Sequence, residues 1–448
     1  MSLIKGIAKG ILSHFPYRYV NVGKEFYDWL NKFESMKGMT VDKIREHQFN
    51  SFVNMVKLAY EETNFYRKLY DDHGFHPSQL KDFSDIQRIP VINKAMVKES
   101  GLDILVSKYD PKRLTVGSTS GSTGSSLTIY ANKRIDQREW AATCYLWSSV
   151  GYRPGDGRIE LRGFFPGGEE YTMDHYHRVL RINVSQLTSN NLPKILQLIH
   201  ESGYEFIHGY PSSISLFSKL VLENDAVEQY IPKAILLASE SLYGYQIDII
   251  RKAFPNSKLH AHYGQSEKTV VAGWNGDSTA YNFLPLYGYV EFDKDTNAII
   301  GTSFINDVMP LIRYELNDIA SSVIPSPDEI AFLFPTIQSI DGRVGEIMYK
   351  PNGDMVSSAL VAIAVRGTKT VTACKLIQHQ YNEIEMLVES FQSEDEVMEE
   401  LKLVMERLHS IFTESMLFTI RIVDHISRGA SGKFKSIEVR IGREGDIA

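Results

Sequence analysis

Hydrophobic and polar positions divide the chain into a helical beginning and a long middle part in which strands and helices alternate. Residues 21–100 have helical, aromatic-rich spacing, in which Pro90 ends one element and Asn93 suits the N-cap of the next. From residue 110 to 340, short apolar runs typical of strands alternate with amphipathic helical patterns. Predicted strands cover 114–116, 127–130, 158–161, 206–208 and 234–238, and predicted helices cover 194–201 and 213–224. This alternation predicts an α/β lobe.

The pattern changes after Gly342. Strand-like runs at 371–378 and 384–388 are followed by an acidic helical stretch at 393–412 and a strand-like run at 417–423. This order predicts a compact α+β module. The helical stretch has apolar residues at 3.6-residue spacing, which favours packing on the module's own sheet over coiled-coil pairing. These residues are Val397, Leu401, Val404, Leu408 and Ile411.

The predicted fold class is therefore α/β with two domains. Residues 1–342 form a large N-terminal lobe of several subdomains with mixed sheets. Shorter β runs at 286–290, 299–304 and 331–334 predict a small barrel-like part near the end of this lobe. Residues 343–448 form a small, mobile α+β C-terminal domain, and the glycines of the 340–346 stretch are expected to serve as its linker.

Composition excludes several classes of protein. With 43% hydrophobic and 23% charged residues, the 448-residue chain has the composition of a globular protein, and its net charge of -7 disfavours a nucleic-acid partner. Cys144 and Cys374 are the only cysteines, which excludes a disulfide framework and favours a cytoplasmic setting. No apolar run approaches the roughly 20 residues of a membrane span. Residues 3–15 have amphipathic spacing, for which packing on the lobe is favoured over a membrane surface or partner protein.

A candidate phosphate-binding turn lies between the strand-like runs at 114–116 and 127–130. Its glycines allow the backbone to approach a ligand closely, and its hydroxyl groups can donate to anionic oxygens. The lysine of a Walker loop is missing, and the turn is expected to join two strands. The alternative is an ordinary Ser/Gly hairpin loop. The turn consists of Thr119, Ser120, Gly121, Ser122, Thr123 and Gly124.

Further chemistry is expected at the stretch 259–267, where strand-like alternation runs into a turn. Glu267 follows the strand end, where ligands of α/β proteins gather, and one carboxylate beside substrate phosphates is enough to hold magnesium. His260 and His262 would share a strand face, but a third ligand at close spacing is missing, which disfavours a metal pair.

Four charged residues further along the chain are candidates that, taken singly, are better explained as surface ion pairs. Arg313 and Asp318 follow an apolar run, and acidic side chains accept ribose hydroxyls well. Arg343 lies in the expected linker, and Lys433 lies in the glycine-punctuated stretch 428–435.

The order of these motifs along the chain resembles the adenylate-forming (acyl-activating) superfamily, and most of the chain is covered. Within it, the chain is similar to the phenylacetate-coenzyme A ligase branch and its relatives assigned to capsular polysaccharide biosynthesis. The order is the hydroxyl-rich loop, Tyr263-Gly264-x-x-Glu267, Arg313-Tyr314-x-x-x-Asp318, Gly342-Arg343 and Gly432-Lys433. Supporting motifs cover 65–69, 89–94, 209–213 and 309–314.

The resemblance implies ATP-dependent activation of a small carboxylic acid as an acyl-adenylate, followed by transfer to coenzyme A or to another thiol, amine or hydroxyl acceptor. It implies that residues 119–124 bind the ATP phosphates, Glu267 holds Mg²⁺, Asp318 grips the ribose with help from Arg343, and Lys433 bridges the carboxylate and the α-phosphate. The adenine would be bordered by Ser239, Glu240, Ser241 and Tyr263, with Gly264, Gln265 and Ser266 in the same nucleotide-binding set, and the acid by His208, Tyr210 and Pro211.

Departures from the superfamily pattern occur at Gly345, where an acidic residue or lysine is usual, and at Asn317, where glycine is frequent. Lys435 lies close to Lys433, but Lys433 directly follows Gly432 as the pattern requires. The rival hypothesis is a non-catalytic, nucleotide-binding or scaffold relative of the same fold. The joint presence of Glu267, Asp318, Arg343 and Lys433 favours the enzyme. The acid, the acceptor and the oligomeric state stay open.

Overall fold

The protein, described from a computed structural model, forms two compact units. The first comprises Met1–Asp156, His175–Arg178 and Leu259–Ile340, and the second comprises Gly157–Asp174, Val179–Lys258 and Asp341–Ala448. The expected domain division between residues 342 and 343 stays a prediction. The described residues are 17, 22–118, 127–162, 169–226, 230–274, 278–323, 335–343, 347–353, 355–357, 368, 370–390, 392–427 and 434–441.

Helices and strands alternate as the α/β class requires, so the predicted class is confirmed. The helices are α1 (Lys24–Ser35), α2 (Val41–Glu62), α3 (Asn64–Asp72), α4 (Lys94–Glu99), α5 (Lys133–Trp147), α6 (Leu192–Ser202), α7 (Pro211–Glu223), α8 (Gly244–Ala253) and α9 (Glu394–Phe412). The strands are β1 (Thr115–Ser118), β2 (Thr128–Ala131), β3 (Arg158–Arg162), β4 (Tyr171–Asp174), β5 (Val179–Asn183), β6 (Phe206–Gly209), β7 (Ala234–Ala238), β8 (Lys258–Gly264), β9 (Val271–Trp274), β10 (Tyr281–Phe283), β11 (Gly288–Phe292), β12 (Ala298–Ser303), β13 (Tyr314–Val323), β14 (Thr336–Arg343), β15 (Ile347–Tyr349), β16 (Met355–Ser357), β17 (Val371–Gln380), β18 (Glu383–Ser390), β19 (Leu417–Val423) and β20 (Ile437–Val439).

The first unit contains the helical beginning of the chain and an antiparallel part. Asn93 caps α4 as predicted, since its side chain accepts the Met96 N–H at 3.1 Å. Strands β1 and β2 pair antiparallel from Thr115–Ala131 to Ser118–Thr128, so the turn between them joins two strands as predicted. Seven further strands follow one another in the order β11-β12-β13-β14-β10-β9-β8, with the short β runs predicted at 286–290 and 299–304 present as β11 and β12.

The second unit contains a parallel sheet with the strand order β7-β6-β3-β5-β4. Strands β3, β5, β6 and β7 run parallel, and β4 pairs antiparallel with β5. Helix α7 packs beside β6, with Pro211 as its first residue, a position where proline fits because no N–H is needed there. The carboxyl ends of four parallel strands therefore meet at one edge, where ligands of α/β proteins bind.

The C-terminal module of the second unit has the strand order β19-β18-β17-β20, with α9 packed on the sheet. A capping box of Ser393 and Glu396 fixes the start of α9. Four residues of the predicted apolar stripe are fully buried in the module's core, and Ile411 packs against it. The stripe therefore packs on the module's own sheet, as predicted.

Some predictions differ from the structure or lie outside it. Residues 340–343 of the expected linker are the end of β14, so this half of the stretch is a strand. The stretches 3–15, 119–124, 331–334 and 344–346, together with Lys433, lie outside the described residues. Among the described helices, none combines the length and low charge that crossing a membrane requires.

Candidate functional site

In the first unit, the structure brings together two motifs that are 55 residues apart in sequence. The Tyr263 hydroxyl, near the end of β8, donates a 2.6 Å hydrogen bond to Asp318 Oδ2 in β13. Asp318 is 8% exposed, and a polar group buried to this depth costs free energy unless it is hydrogen-bonded. The pair fixes the carboxylate beside the turn that follows β8.

That turn contains Gln265, Ser266 and Glu267 and closes with a hydrogen bond from the Lys268 N–H to the Gln265 carbonyl at 3.0 Å. Lys268 has a φ of 55°, a left-handed conformation that is uncommon outside glycine and often occurs at functional sites. Burial raises the pKa of the Tyr314 hydroxyl, and the negative charges of Glu267 and Asp318 raise it further. Glu267 and Asp318 therefore both act on the Tyr314 hydroxyl, at the start of β13.

The Gln265 side chain is an orphan among the described residues. Both its Oε1 and Nε2 atoms are buried, and neither has a hydrogen-bond partner there. Leaving a buried amide unpaired costs about 1–3 kcal/mol per group, so the observation fits a turn that binds a polar ligand such as a nucleotide.

The motif around residues 309–314 is fixed by contacts with other parts of the first unit. The Tyr66 hydroxyl accepts the Ile312 N–H at 2.9 Å and donates to the Pro310 carbonyl at 3.1 Å. Arg313 is buried and forms a bidentate ion pair with Glu291, at 2.9 and 3.0 Å. The expected ion pair of Arg313 is therefore present, but in the interior rather than on the surface.

His260 and His262 have structural partners in the first unit. Trp147 Nε1 donates to His262 Nδ1 at 3.2 Å, and the Ser149 hydroxyl lies 3.3 Å from His260 Nδ1. Burial lowers the pKa of His262 to about 4 and that of His260 to about 3, the latter with a contribution from His262. No group of three His, Cys, Asp or Glu side chains suited to a metal occurs within the described part of the chain.

In the second unit, the candidate residues follow the carboxyl ends of β6 and β7. His208 lies in β6, and Tyr210 and Pro211 lie at the start of α7. Ser239 directly follows β7, is exposed, and has a φ of 71°, a strained conformation typical of ligand-binding turns. The residues predicted to border the acid and the adenine therefore lie at the carboxyl ends of two neighbouring parallel strands, and their roles stay predictions.

Glu240 connects this edge with the C-terminal module. One carboxylate oxygen accepts the Ser212 N–H in the first turn of α7 at 3.1 Å, and the other accepts the Phe434 N–H at 2.8 Å. The positive end of the α7 dipole favours a carboxylate at this place. A second contact joins Tyr243 and Ser436, whose hydroxyl oxygens are 3.3 Å apart. Phe434 directly follows Lys433 in the chain.

A charged cluster around Glu160 was missed by sequence reasoning. Register places Arg181 of β5 and His208 of β6 on either side of Glu160 in β3. Arg158 donates to Glu160 Oε1 at 2.7 and 3.0 Å, and Arg181 and Arg162 donate to Oε2 at 3.2 and 3.4 Å. Burial raises the pKa of Glu160, but Arg158, His208, Arg162 and Arg181 outweigh it and lower the pKa to about 2. The carboxyl is therefore ionised at neutral pH.

The depressed pKa of Glu160 predicts acid instability. Because the folded-state pKa lies below the ordinary 4.5, the ion cluster stabilises the fold above pH 4.5, and this contribution is lost as the pH falls toward about 2. Between pH 5 and pH 3 the expected loss in the free energy of unfolding is about 2 kcal/mol. Urea unfolding at pH 5 and pH 3 measures it. Glu160→Gln should flatten this dependence, whereas Glu399→Gln, on the exposed face of α9, should not.

The remaining predicted site residues are at the limit of the structure or beyond it. Arg343 is the last residue of β14, and its side chain lies outside the described part. Residues 119–124 and Lys433 also lie outside it, although their neighbours in β1, β2 and at Phe434 are placed. Their roles stay predictions.

Comparisons with known proteins agree with this geometry. Residues 348–439 match the CapK C-terminal domain family. The phenylacetate-coenzyme A ligase of Aromatoleum evansii is 27% identical over 318 residues, covering 65% of this chain and 70% of that protein. The phenylacetate-coenzyme A ligase of Pseudomonas putida is 23% identical over 310 residues, with 64% and 68% covered.

A solved structure supports the fold. The crystal structure of a 2-hydroxyisobutyryl-CoA ligase in the postadenylation state, in complex with an acyl-AMP, superposes with a TM-score of 0.68. It covers 88% of this chain and 89% of its own, at 16% sequence identity. At this identity the likeness shows a shared fold.

Proposed function

We propose that the chain is a member of the adenylate-forming superfamily, a ligase that activates a small carboxylic acid with ATP and transfers the acyl group to coenzyme A. The observation that supports the proposal is the 2.6 Å hydrogen bond between Tyr263 and Asp318, since both residues lie in segments that resemble nucleotide-binding motifs of the superfamily. Its relatives among the phenylacetate-coenzyme A ligases, covering about two thirds of the chain, support the same reaction.

The reaction has two balanced steps. In the first, a carboxylate oxygen of the acid attacks the α-phosphorus of ATP, the bond from that phosphorus to the bridging oxygen breaks, and pyrophosphate leaves. In the second, the thiol sulfur attacks the acyl carbon, AMP leaves and the thiol proton passes to solvent. Each step brings negatively charged groups together. The site residues must therefore supply positive charge and hold the reacting groups in the geometry that the reaction needs.

Residues on both units have proposed roles. Asp318, oriented by Tyr263, accepts the ribose hydroxyls, and residues 119–124, which lie between β1 and β2 in the sequence, hold the phosphates. Glu267 would hold Mg²⁺, because carboxylate oxygens are suitable ligands for this hard cation. The bound Mg²⁺ would neutralise phosphate charge. Lys433 supplies positive charge between the acid and the α-phosphate, and Arg343 assists at the ribose.

Glu240 is proposed to place Lys433. Its carboxylate holds the backbone N–H of Phe434, the residue after Lys433, at 2.8 Å. The hydrogen bond from Ser212 at the α7 N-terminus fixes the same carboxylate on the lobe. We therefore propose that Glu240 influences Lys433 through its hydrogen bond to the next residue, Phe434.

Pyrophosphate release is the direct test of this function. With Mg-ATP and a panel of small aromatic, branched and straight-chain carboxylic acids, we expect release that depends on at least one acid, and thiol consumption once coenzyme A is added. ATP binding measured by calorimetry without release for any acid would support the rival, a non-catalytic nucleotide-binding relative. Release without thiol consumption would favour an amine or hydroxyl acceptor.

The match of residues 348–439 to the CapK C-terminal domain family supports a finer proposal, a role in capsular polysaccharide synthesis in the cytoplasm. In that setting, a sugar amine or hydroxyl or a carrier-protein thiol replaces coenzyme A as the acceptor. Competition between coenzyme A and amino sugars for a preformed acyl-adenylate distinguishes these acceptors.

A further inference from the structure

The inner strand β3 is unusual for a parallel sheet. It lies between β5 and β6, where both faces of a strand are ordinarily apolar. One face follows this rule, since Ile159 and Leu161 are fully buried. The other face carries Arg158, Glu160 and Arg162 in alternate positions. A charged face inside such a sheet costs free energy unless a ligand or function requires it.

The charges on this face do not cancel. Three guanidinium groups, of Arg158, Arg162 and Arg181, face two carboxylates, of Glu160 and Asp174. Arg158 is bound tightly to Glu160, and Arg181 is shared between Glu160 and Asp174. The cluster therefore has one more positive than negative charge. The arginine with the longest hydrogen bonds to the carboxylates is the one whose charge is least compensated.

That arginine is Arg162. Its Nε lies 3.4 Å from Glu160 and its Nη1 lies 3.5 Å from the Tyr210 hydroxyl, both longer than the 2.7–2.9 Å of a charge-assisted hydrogen bond. No other hydrogen-bond acceptor for its donors occurs among the described residues. Its side chain is 35% exposed, whereas the side chain of Arg158 is 14% exposed.

Arg162 also lies at the correct place to meet a ligand. It is the last residue of β3, at the carboxyl edge of the sheet, and its guanidinium carbon is 5.7 Å from the centre of the Tyr210 ring. Tyr210 and His208 are the residues proposed to border the acid. A guanidinium fork held against an aromatic ring binds a carboxylate in two places with its planar donors.

We propose that Arg162 binds a second carboxylate of the substrate, so that the acid activated is a dicarboxylic acid. The inference rests on the proposed function, in which the reacting carboxylate is neutralised by Lys433 and the ATP site rather than by Arg162. Glu160 and Arg158 support Arg162 without binding the ligand themselves. Their mutual ion pair fixes the charged face of β3, so that the donors of Arg162 are left for the ligand.

Matched pairs of acids test the inference in binding and in turnover. Calorimetry and pyrophosphate release compare malonate with propionate, succinate with butyrate and glutarate with valerate, for the unaltered protein and for Arg162→Met. For at least one pair, we expect the unaltered protein to prefer the diacid by on the order of tenfold or more in Kd and in kcat/KM. Arg162→Met should weaken the diacid far more than its matched monoacid, so that the preference of the unaltered protein for the diacid is lost in Kd and in kcat/KM.

Control variants separate this role from a structural one. Arg421→Met removes an exposed arginine paired with Glu385 in the C-terminal module and should leave the diacid preference intact. Arg162→Lys keeps the charge without the fork and should restore part of the preference. Equal weakening of mono- and diacids in Arg162→Met would overturn the inference, because Arg162 would then bind the reacting carboxylate or support the fold. Preference for monoacids in the unaltered protein would also overturn it. Diacid-selective binding without pyrophosphate release would sustain it and count against the proposed function alone.

Discussion

Lys433→Ala is expected to lower the rate of acyl-adenylate formation by on the order of 10²–10³-fold while ATP binding stays nearly intact. The physical reason is that a carboxylate approaching the α-phosphate meets charge repulsion, and a lysine between them stabilises the negative charge that develops in the transition state. ATP in the ground state is held mainly by residues on the lobe. Acid-dependent pyrophosphate release measures the rate, and calorimetry measures ATP binding.

Lys435→Ala is the matched control for this prediction. Lys435 lies two residues further along and is only partly buried. Its removal subtracts the same charge from the same segment, and adenylation should then change by less than a few-fold. If Lys435→Ala were the variant that abolishes adenylation, the assignment of Lys433 would be wrong. The role would then belong to Lys435, two residues further along the chain.

The C-terminal module illustrates what local sequence determines. Strand β19 has the predicted bounds. The ends of β17, β18 and α9 differ from the predicted ends by no more than two residues. The helix begins where Ser393 and Glu396 form a capping box, and its stripe of apolar residues fixes the buried face. Signals of this kind lie within a few residues of the element they determine.

The Glu160 cluster illustrates what local sequence leaves undetermined. The alternation Arg-Ile-Glu-Leu-Arg predicts a strand with three charged residues on one face, but not whether that face is buried. Arg181 and His208 join it only because β5 and β6 pair with β3 in register, 21 and 48 residues further along the chain. Arg313 was predicted to form a surface ion pair, because the sequence does not show which residue pairs with it. In the structure its partner is Glu291 in β11, and Arg313 is buried.

The nucleotide-binding roles inferred from the motifs stay predictions, but the structure does show one contact between two of these motifs. Tyr263, Glu267 and Asp318 were chosen from their motifs, and the hydrogen bond between Tyr263 and Asp318 shows that two of these motifs meet. The orphaned amide of Gln265 is visible only in the structure, since a sequence does not show which polar side chains lack partners.

The second large effect is expected at Glu240, which was predicted only as a border of the adenine. Its hydrogen bonds at 3.1 Å to Ser212 and 2.8 Å to Phe434 connect the N-terminus of α7 with the residue after Lys433. A carboxylate accepting two backbone N–H groups holds Ser212 and Phe434 with charge-assisted hydrogen bonds, and under the proposed function this contact positions the neighbouring Lys433. Loss of this carboxylate frees the Lys433 segment without touching the transferred atoms.

Glu240→Ala should therefore reduce the kcat of acyl-adenylate formation by on the order of 10–100-fold, since a misplacement of about 1 Å in a reacting group costs this much. Thioester formation from a preformed acyl-adenylate, in which Lys433 takes no part, should change much less, and the KM for ATP should stay within a few-fold. Glu240→Gln retains one acceptor oxygen and should recover part of the adenylation rate. A rise in the KM for ATP with unchanged kcat would instead assign Glu240 to the adenine, and equal losses in both half-reactions would assign it to the fold. Comparing the two half-reactions therefore distinguishes positioning of Lys433 from the two other roles of Glu240, which are adenine binding and support of the fold.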